Sequence, residues 1–475
     1  MKTSIALAIG AALVAAGCST PPRTAATVLQ DAQKALGTAN SIQFSGTGMS
    51  AFVGQALNAG EAWPVRELSS FTETINYDQK SARAELNFAQ PTFGGQQQNT
   101  EVNGDKAWNV GPNGPVPQLA TAEARQLLIW LTPHGFVKAG LAASDATLSG
   151  TDTAPVISFT TMGKYKLVGT LDANNMVTKV ETKRPDPVLG DTDVVATLSD
   201  YKDFNGVKFP AKIMISEGGF ASWEFDTTKV TPNAAADLSV PEAVQSATIP
   251  PVQVVTTKIG DGVWFLSGGS HHSVVVEFKD YIAIVEAPLS EERSLAVLAE
   301  AKKLVPNKPV KYLLTTHHHF DHTGGLRTYA AEGVTIVTNQ SNVAYFEKTL
   351  MAPATMVPDE QAKSPKKPVF QPVSDKYVIT DGKGKQTIEM YTTDGDTHTK
   401  EYMLIYLPVS KVLVEADAFS PGPADAPPPA TPAPNAVKLY DEIQRLKLNV
   451  ATIAPIHGRG PVPLAELAKA IGKKG

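Results

Sequence analysis

Residues 25–36 carry Val28, Leu29, Ala32 and Leu36 at helical spacing, which predicts a short amphipathic helix. Beyond it the hydrophobic period shortens to two. Alternation around Ile42 and Phe44, through residues 71–88 and again at 156–159 predicts half-buried antiparallel strands joined by turns rich in Gly, Asn and Asp. Two turns locate hairpins: Asp172-Ala173-Asn174-Asn175 between 167–171 and 177–182, and Asn205-Gly206 between 201–204 and 207–213. Pro241, Pro250 and Pro251 then interrupt small and polar residues, predicting a stiff, extended linker over 241–251 between two independently packed units. From Val252 strands and helices alternate, with strands at 263–266, 274–278 and 281–285, a helix at 291–304 that opens on acidic residues, and a strand at 310–315. That alternation predicts a layered α/β unit and puts Thr316 on the loop leaving a strand end.

At 475 residues the chain is long enough for two or three domains. With 42% hydrophobic and 19% charged residues and a net charge of −5, it has no basic surface for phosphate-held partners, so a small-molecule substrate is expected and no nucleic acid. The first 18 residues read as an export signal: Lys2 supplies the positive start, and residues 5–16 form an apolar stretch short for a bilayer span. Ala15, Ala16 and Gly17 precede Cys18, the sole cysteine, and resemble a bacterial lipobox with Ala15 where Leu is commoner. A lone cysteine cannot form an internal disulfide, so Cys18 is read as a lipidation site that anchors the exported chain to a membrane, the outer one where there are two. Ordinary signal cleavage nearby is the alternative. The organisation expected is a signal over 1–18, an antiparallel β domain over 19–240, the linker, and a second domain over 252–475.

Eight of the nine histidines lie after residue 270, and four crowd into Thr316-His317-His318-His319-Phe320-Asp321-His322-Thr323-Gly324-Gly325. Side chains alternate along an extended loop, so His317 and His319 can face one point while His318 points away. Asp321 and His322 can then turn to a second point, and two metals share one loop. Gly324 and Gly325 allow the tight turn into the next helix. His134, alone in the first domain, reads as structural.

The pattern His-x-His-x-Asp-His followed by x-Gly-Gly resembles the signature of the metallo-β-lactamase-fold superfamily, and further motifs follow in order. The resemblance spans about 252–475 and implies a four-layered αββα domain. It implies His398, in Gly395-Asp396-Thr397-His398-Thr399, as the third ligand of the first metal. It also implies Asp417, ending Val412-Leu413-Val414-Glu415-Ala416-Asp417, as a bridging carboxylate, and His457, in Ile453-Ala454-Pro455-Ile456-His457-Gly458, as the last ligand of the second. A nitrogen-rich pair of sites suits two Zn²⁺ ions, with Fe or Mn as alternatives. Two such ions share a bridging hydroxide and polarise a carbonyl or phosphoryl oxygen, and Asp321 can orient the hydroxide and take its proton. At Val285-Glu286-Ala287-Pro288 the chain departs from the superfamily, which usually carries aspartate where Glu286 stands.

The first domain more loosely resembles the periplasmic lipoprotein-carrier fold, through Val102-Asn103-Gly104-Asp105-Lys106-Ala107-Trp108 and the hairpin from Tyr201 to Pro210. This implies an antiparallel β half-barrel with a helix, able to hold an acyl chain; a spacer or docking module is the alternative. The fold class expected is therefore α+β with two domains. The implied activity is hydrolysis of an ester, lactone or amide, β-lactams included, or, alternatively, action of the metal domain on a lipid bound by the first. Members that use a cysteine ligand are excluded by Cys18, and the tyrosine of the lactonase pattern is replaced by Ser420. His271 and His272 are read either as substrate contacts or as part of a solvated hairpin. Residues 421–435, with seven prolines, are read as a surface crossover or as a wall beside the metals.

Overall fold

The computed structural model describes residues 23–92, 95–381, 386–393 and 398–473. The export signal, Cys18 and the motif residues Gly395, Asp396 and Thr397 lie outside the described residues.

The first domain is built on one antiparallel sheet of thirteen strands. Its first strand, Ser41–Ala51, pairs on one side with Val65–Asn76 and on the other with the last, Phe220–Pro232, so the domain's first and last strands lie side by side in the middle of the sheet. The helix Ala25–Leu36 forms where its spacing predicts, capped by Thr24 and burying Val28, Leu29, Ala32 and Leu36. Both predicted hairpins are present, Tyr165–Leu171 with Val177–Asp186 and Gly190–Phe204 with Val207–Glu217. Asn205 takes a left-handed φ of 57° and Gly206 one of 85°, as a two-residue turn requires.

Where one helix was expected, two more cover the sheet, Ala122–Trp130 and Pro133–Ala142. The second starts on a Thr132 cap followed by Pro133 at its first position, a readable start signal, but so many of its positions are buried that it lacks the amphipathic period. The core joins Leu29, Phe44, Phe71, Phe136, Phe159 and Phe209. The segment 241–251, expected to be extended, contains a short helix, Glu242–Gln245, whose Val244 is buried.

The second domain stacks two sheets, one of seven strands and one of six. Their facing sides share a core that includes Phe265, Val276, Val285, Met390, Ile405 and Val414, with the helices Pro434–Arg445 and Leu464–Ala470 adding Leu439 and Leu467. A second core lies under Glu291–Leu304 and Leu326–Glu332 and takes Val275, Ile282 and Ile284 from the first sheet. The order of layers is helix, sheet, sheet, helix.

Strands Ile282–Val285 and Val310–Leu314 are parallel neighbours in one sheet, and Val412–Glu415 and Thr452–Pro455 are parallel neighbours in the other. Each runs directly into a segment bearing chemistry: Glu286, His317, Asp417 and His457 all follow strand ends. Ligand sites in open α/β sheets form outside such carboxyl ends.

Candidate metal centre

All seven side chains singled out in the sequence meet at this edge. His317, His319 and His398 form one group whose nitrogens lie within 4.8 Å of one another, and Asp321, His322 and His457 lie in a second. Asp417 stands between them. Its Oδ2 is 3.3 Å from His317 Nε2, 3.0 Å from His322 Nε2 and 3.5 Å from His398 Nε2, while its Oδ1 is 3.0 Å from His457 Nε2. One carboxylate therefore touches members of both groups.

Three of the imidazoles are turned by a neighbour at their other nitrogen. His322 Nδ1 donates to Glu286 Oε2 at 2.7 Å, and Glu286 Oε1 accepts from Thr316 N at 2.6 Å. The longer Glu286 thus reaches both the 317–322 loop and His322, held in a left-handed backbone with φ 70°. His317 Nδ1 faces the Thr316 hydroxyl at 3.0 Å, and His319 Nε2 donates to the Ala56 carbonyl at 2.9 Å. The Tyr402 hydroxyl accepts from Ala416 N and Asp417 N, and Glu415 accepts from Ala418 N and Phe419 N, which fixes the turn carrying Asp417. His318 points away, its Nδ1 2.6 Å from Glu401.

Burial and the neighbouring His322 and His319 rings hold His317 well below the usual imidazole range, and burial with His398 lowers His319 to about 3. For His322 burial works the same way, but Asp417 and Glu286 outweigh it and raise it well above that range. Asp417 is held well below the carboxylate range against burial by His322, His398 and His457. His317 and His319 are thus held neutral, as ligands of a divalent cation must be, while His322 carries a proton that a bound cation would displace.

The residues fit such ions. His317 Nε2 is buried and makes no hydrogen bond, and Asp417 Oδ2 is buried with three imidazole nitrogens within 3.5 Å of it. His319 Nδ1 lies 2.9 Å from His398 Nε2, and His322 Nε2 lies 3.0 Å from His457 Nε2. Nitrogens around one tetrahedral Zn²⁺ stand about 3.3 Å apart, so small adjustments would seat a cation in each group.

His271 is the residue that sequence reasoning left undecided. It is buried, not part of a solvated hairpin, and belongs to the second group, with Nε2 3.1 Å from Asp321 Oδ2. A backbone bridge to His457 holds it there. His272 is buried too but turns outward, donating from Nε2 to Gly458 O at 2.9 Å. The doublet was visible in the sequence; which of the two faces the centre depends on the bridge to a strand end far along the chain. The proline-rich segment borders a cavity of about 600 Å³ whose lining includes Asp417, Phe419 and Pro421, which favours a wall beside the centre over a remote crossover.

Residues 266–457 match the family model described as "Metallo-beta-lactamase superfamily", so the C-terminal part of the chain is a metallo-β-lactamase superfamily domain. Among solved structures, a metallo-beta-lactamase from Pontibacter korlensis is 22% identical and aligns over 46% of this chain and 98% of its own, at a TM-score of 0.34. A metallo beta lactamase from Hirschia baltica is 20% identical over 46% of this chain and 95% of its own, with a TM-score of 0.34. The DIM-1 metallo-beta-lactamase is 17% identical over 46% of this chain and 96% of its own, with a TM-score of 0.33. No curated protein matches the chain.

Proposed function

We propose that this chain is a metal-dependent hydrolase with two zinc ions, cleaving an ester, lactone or amide bond, β-lactams among the amides. His317, His319 and His398 would hold the first ion and Asp321, His322 and His457 the second, with Asp417 placed to serve both. The observation that carries this reading is the Asp417 carboxylate in contact with histidines of both groups. When bound, the ions supply Lewis acidity toward the scissile oxygen and a nucleophilic water at neutral pH. Asp321, with 32% of its side chain exposed against 16% for Asp417, is the site carboxylate nearer to solvent, and it orients the attacking water and takes its proton. Glu286, Thr316 and Tyr402 keep the ligands oriented and act through them.

The test is metal analysis of the purified chain, followed by hydrolysis of chromogenic β-lactam, lactone, thioester and phosphodiester substrates with and without a chelator. Two equivalents of metal and chelator-sensitive turnover that is lost in Asp321→Ala support the reading. Metal-free, inert protein overturns it.

A second reading has one observation in its favour. A cavity of about 290 Å³ in the first domain is lined largely by apolar side chains, among them Phe44, Ile75, Leu86, Ile129, Ile213 and Phe225, and would suit an acyl chain on which the metal domain then acts. Fatty acyl chains co-purifying with the whole protein, and lost on Ile213→Trp, would favour it. Export and a lipid on Cys18 belong to the same proposal, and Cys18→Ser should then release the protein from membranes.

A further inference from the structure

Ala51 pairs with Val65, so residues 52–64 form the connection between two adjacent strands of the first domain. This is well beyond the roughly two to five residues that close most hairpins, and long ordered connections usually serve a site. Its course is set by the second domain. Gly54 O accepts from Phe320 N at 3.3 Å and Leu57 O from Lys400 N at 3.0 Å, while Ala59 N donates to Glu401 Oε1 at 3.0 Å. Trp63 meets the Phe320 ring edge-on at 6.2 Å, and a Cβ on Gly54 would come within 2.4 Å of that ring. One segment of the first domain thus fastens both the 317–322 loop and the loop after His398.

Two further bonds reach the ligands themselves. Ala56 O accepts from His319 Nε2 at 2.9 Å, and Gln55 Nε2 donates to Asp321 Oδ1 at 2.8 Å. A neutral imidazole carries a single N–H, so donating it from Nε2 leaves the Nδ1 lone pair for the first group, where Nδ1 lies 2.9 Å from His398 Nε2. With Oδ1 held by Gln55, Asp321 turns Oδ2 toward the second group, 3.7 Å from His322 Nε2.

We propose that residues 54–59 of the first domain are a working part of the metal centre, with the Ala56 carbonyl positioning His319 and Gln55 positioning Asp321. The inference rests on the two-cation reading above. It makes the first domain a determinant of cation affinity rather than a spacer. Gln55 and Ala56 are positioning residues, acting through ligands.

The test uses the full chain, stripped of metal and titrated with Co²⁺ against a competing chelator, with the visible spectrum of bound Co²⁺ reporting ligand geometry. Gly54→Val, which forces the segment off Phe320, should weaken the first cation by about 10- to 100-fold, and Gln55→Ala should weaken the second by about tenfold. Val65→Thr, on an exposed strand position, serves as control. Wild-type binding of two cations, with unchanged affinity and spectra in Gln55→Ala and in a folded Gly54→Val, overturns this inference and leaves the hydrolase reading standing. A wild-type protein that takes up no cation overturns both. Should Gly54→Val fail to fold, the Gln55→Ala titration alone decides.

Discussion

His134 in the first domain and His317 in the second are both buried, 7% and 0% exposed, and burial drives both toward the neutral form, His134 to about 4. Their surroundings differ. His134 stacks between Tyr77 and Phe209, at 6.4 and 6.1 Å. His317 faces the rings of His319, His322 and His398 within 5.3 Å and the Asp417 carboxylate at 3.3 Å. Desolvation alone therefore does not mark a functional histidine. What sets His317 apart is a cluster of imidazoles and a carboxylate converging on a common point, several of them held by a partner behind.

The comparison can be broken most directly at Asp417. Asp417→Ala should remove the bridge between the groups and lower kcat/KM at least 10³-fold, about 4 kcal/mol, with loss of bound metal in the same sample. A variant that kept both would reduce the cluster to the status of His134.

At His134 the expected effect is on stability. Its folded pKa of about 4 lies below the unfolded value near 6.5, so the unfolded chain binds more protons in that window. Stability is then fully present above pH 6.5 and falls by about 3 kcal/mol as pH drops to 4. Urea unfolding followed by tryptophan fluorescence suits this, since four of the five tryptophans lie before residue 240. His134→Leu should flatten the slope, and an unchanged slope would remove desolvation as the cause.

The smallest expected effect is at the shell behind the ligands. In Glu286→Gln the amide N–H₂ would oppose His322 Nδ1–H, favouring the tautomer whose Nε2 is protonated toward the second group. Affinity for the second cation should fall by about 10- to 100-fold in a Co²⁺ titration, with the first unchanged.

Much of this was legible in the chain because it is local. The helix Ala25–Leu36 follows from its apolar spacing, and Glu291–Leu304 forms where the acidic opening of a helix was read. The Asn205-Gly206 turn follows from its need for positive φ. The 317–322 cluster could be read because alternation along one short loop divides its side chains between two directions. Pro133–Ala142 was not legible as an amphipathic helix, because burial on most of its sides erases the period.

The chain by itself determined which residue types could bind metal, in what order they occur, and that strands deliver them to loops, since these depend on spacings of a few residues. Only the tertiary structure decided that His271 and not His272 faces Asp321, that Glu286 serves both His322 and Thr316, and that Gln55 and Ala56 of the other domain reach Asp321 and His319. Gln55 and Asp321 are 266 positions apart. A hydrogen bond over that separation depends on how two independently patterned sheets dock, and periodicity within either one carries no record of it.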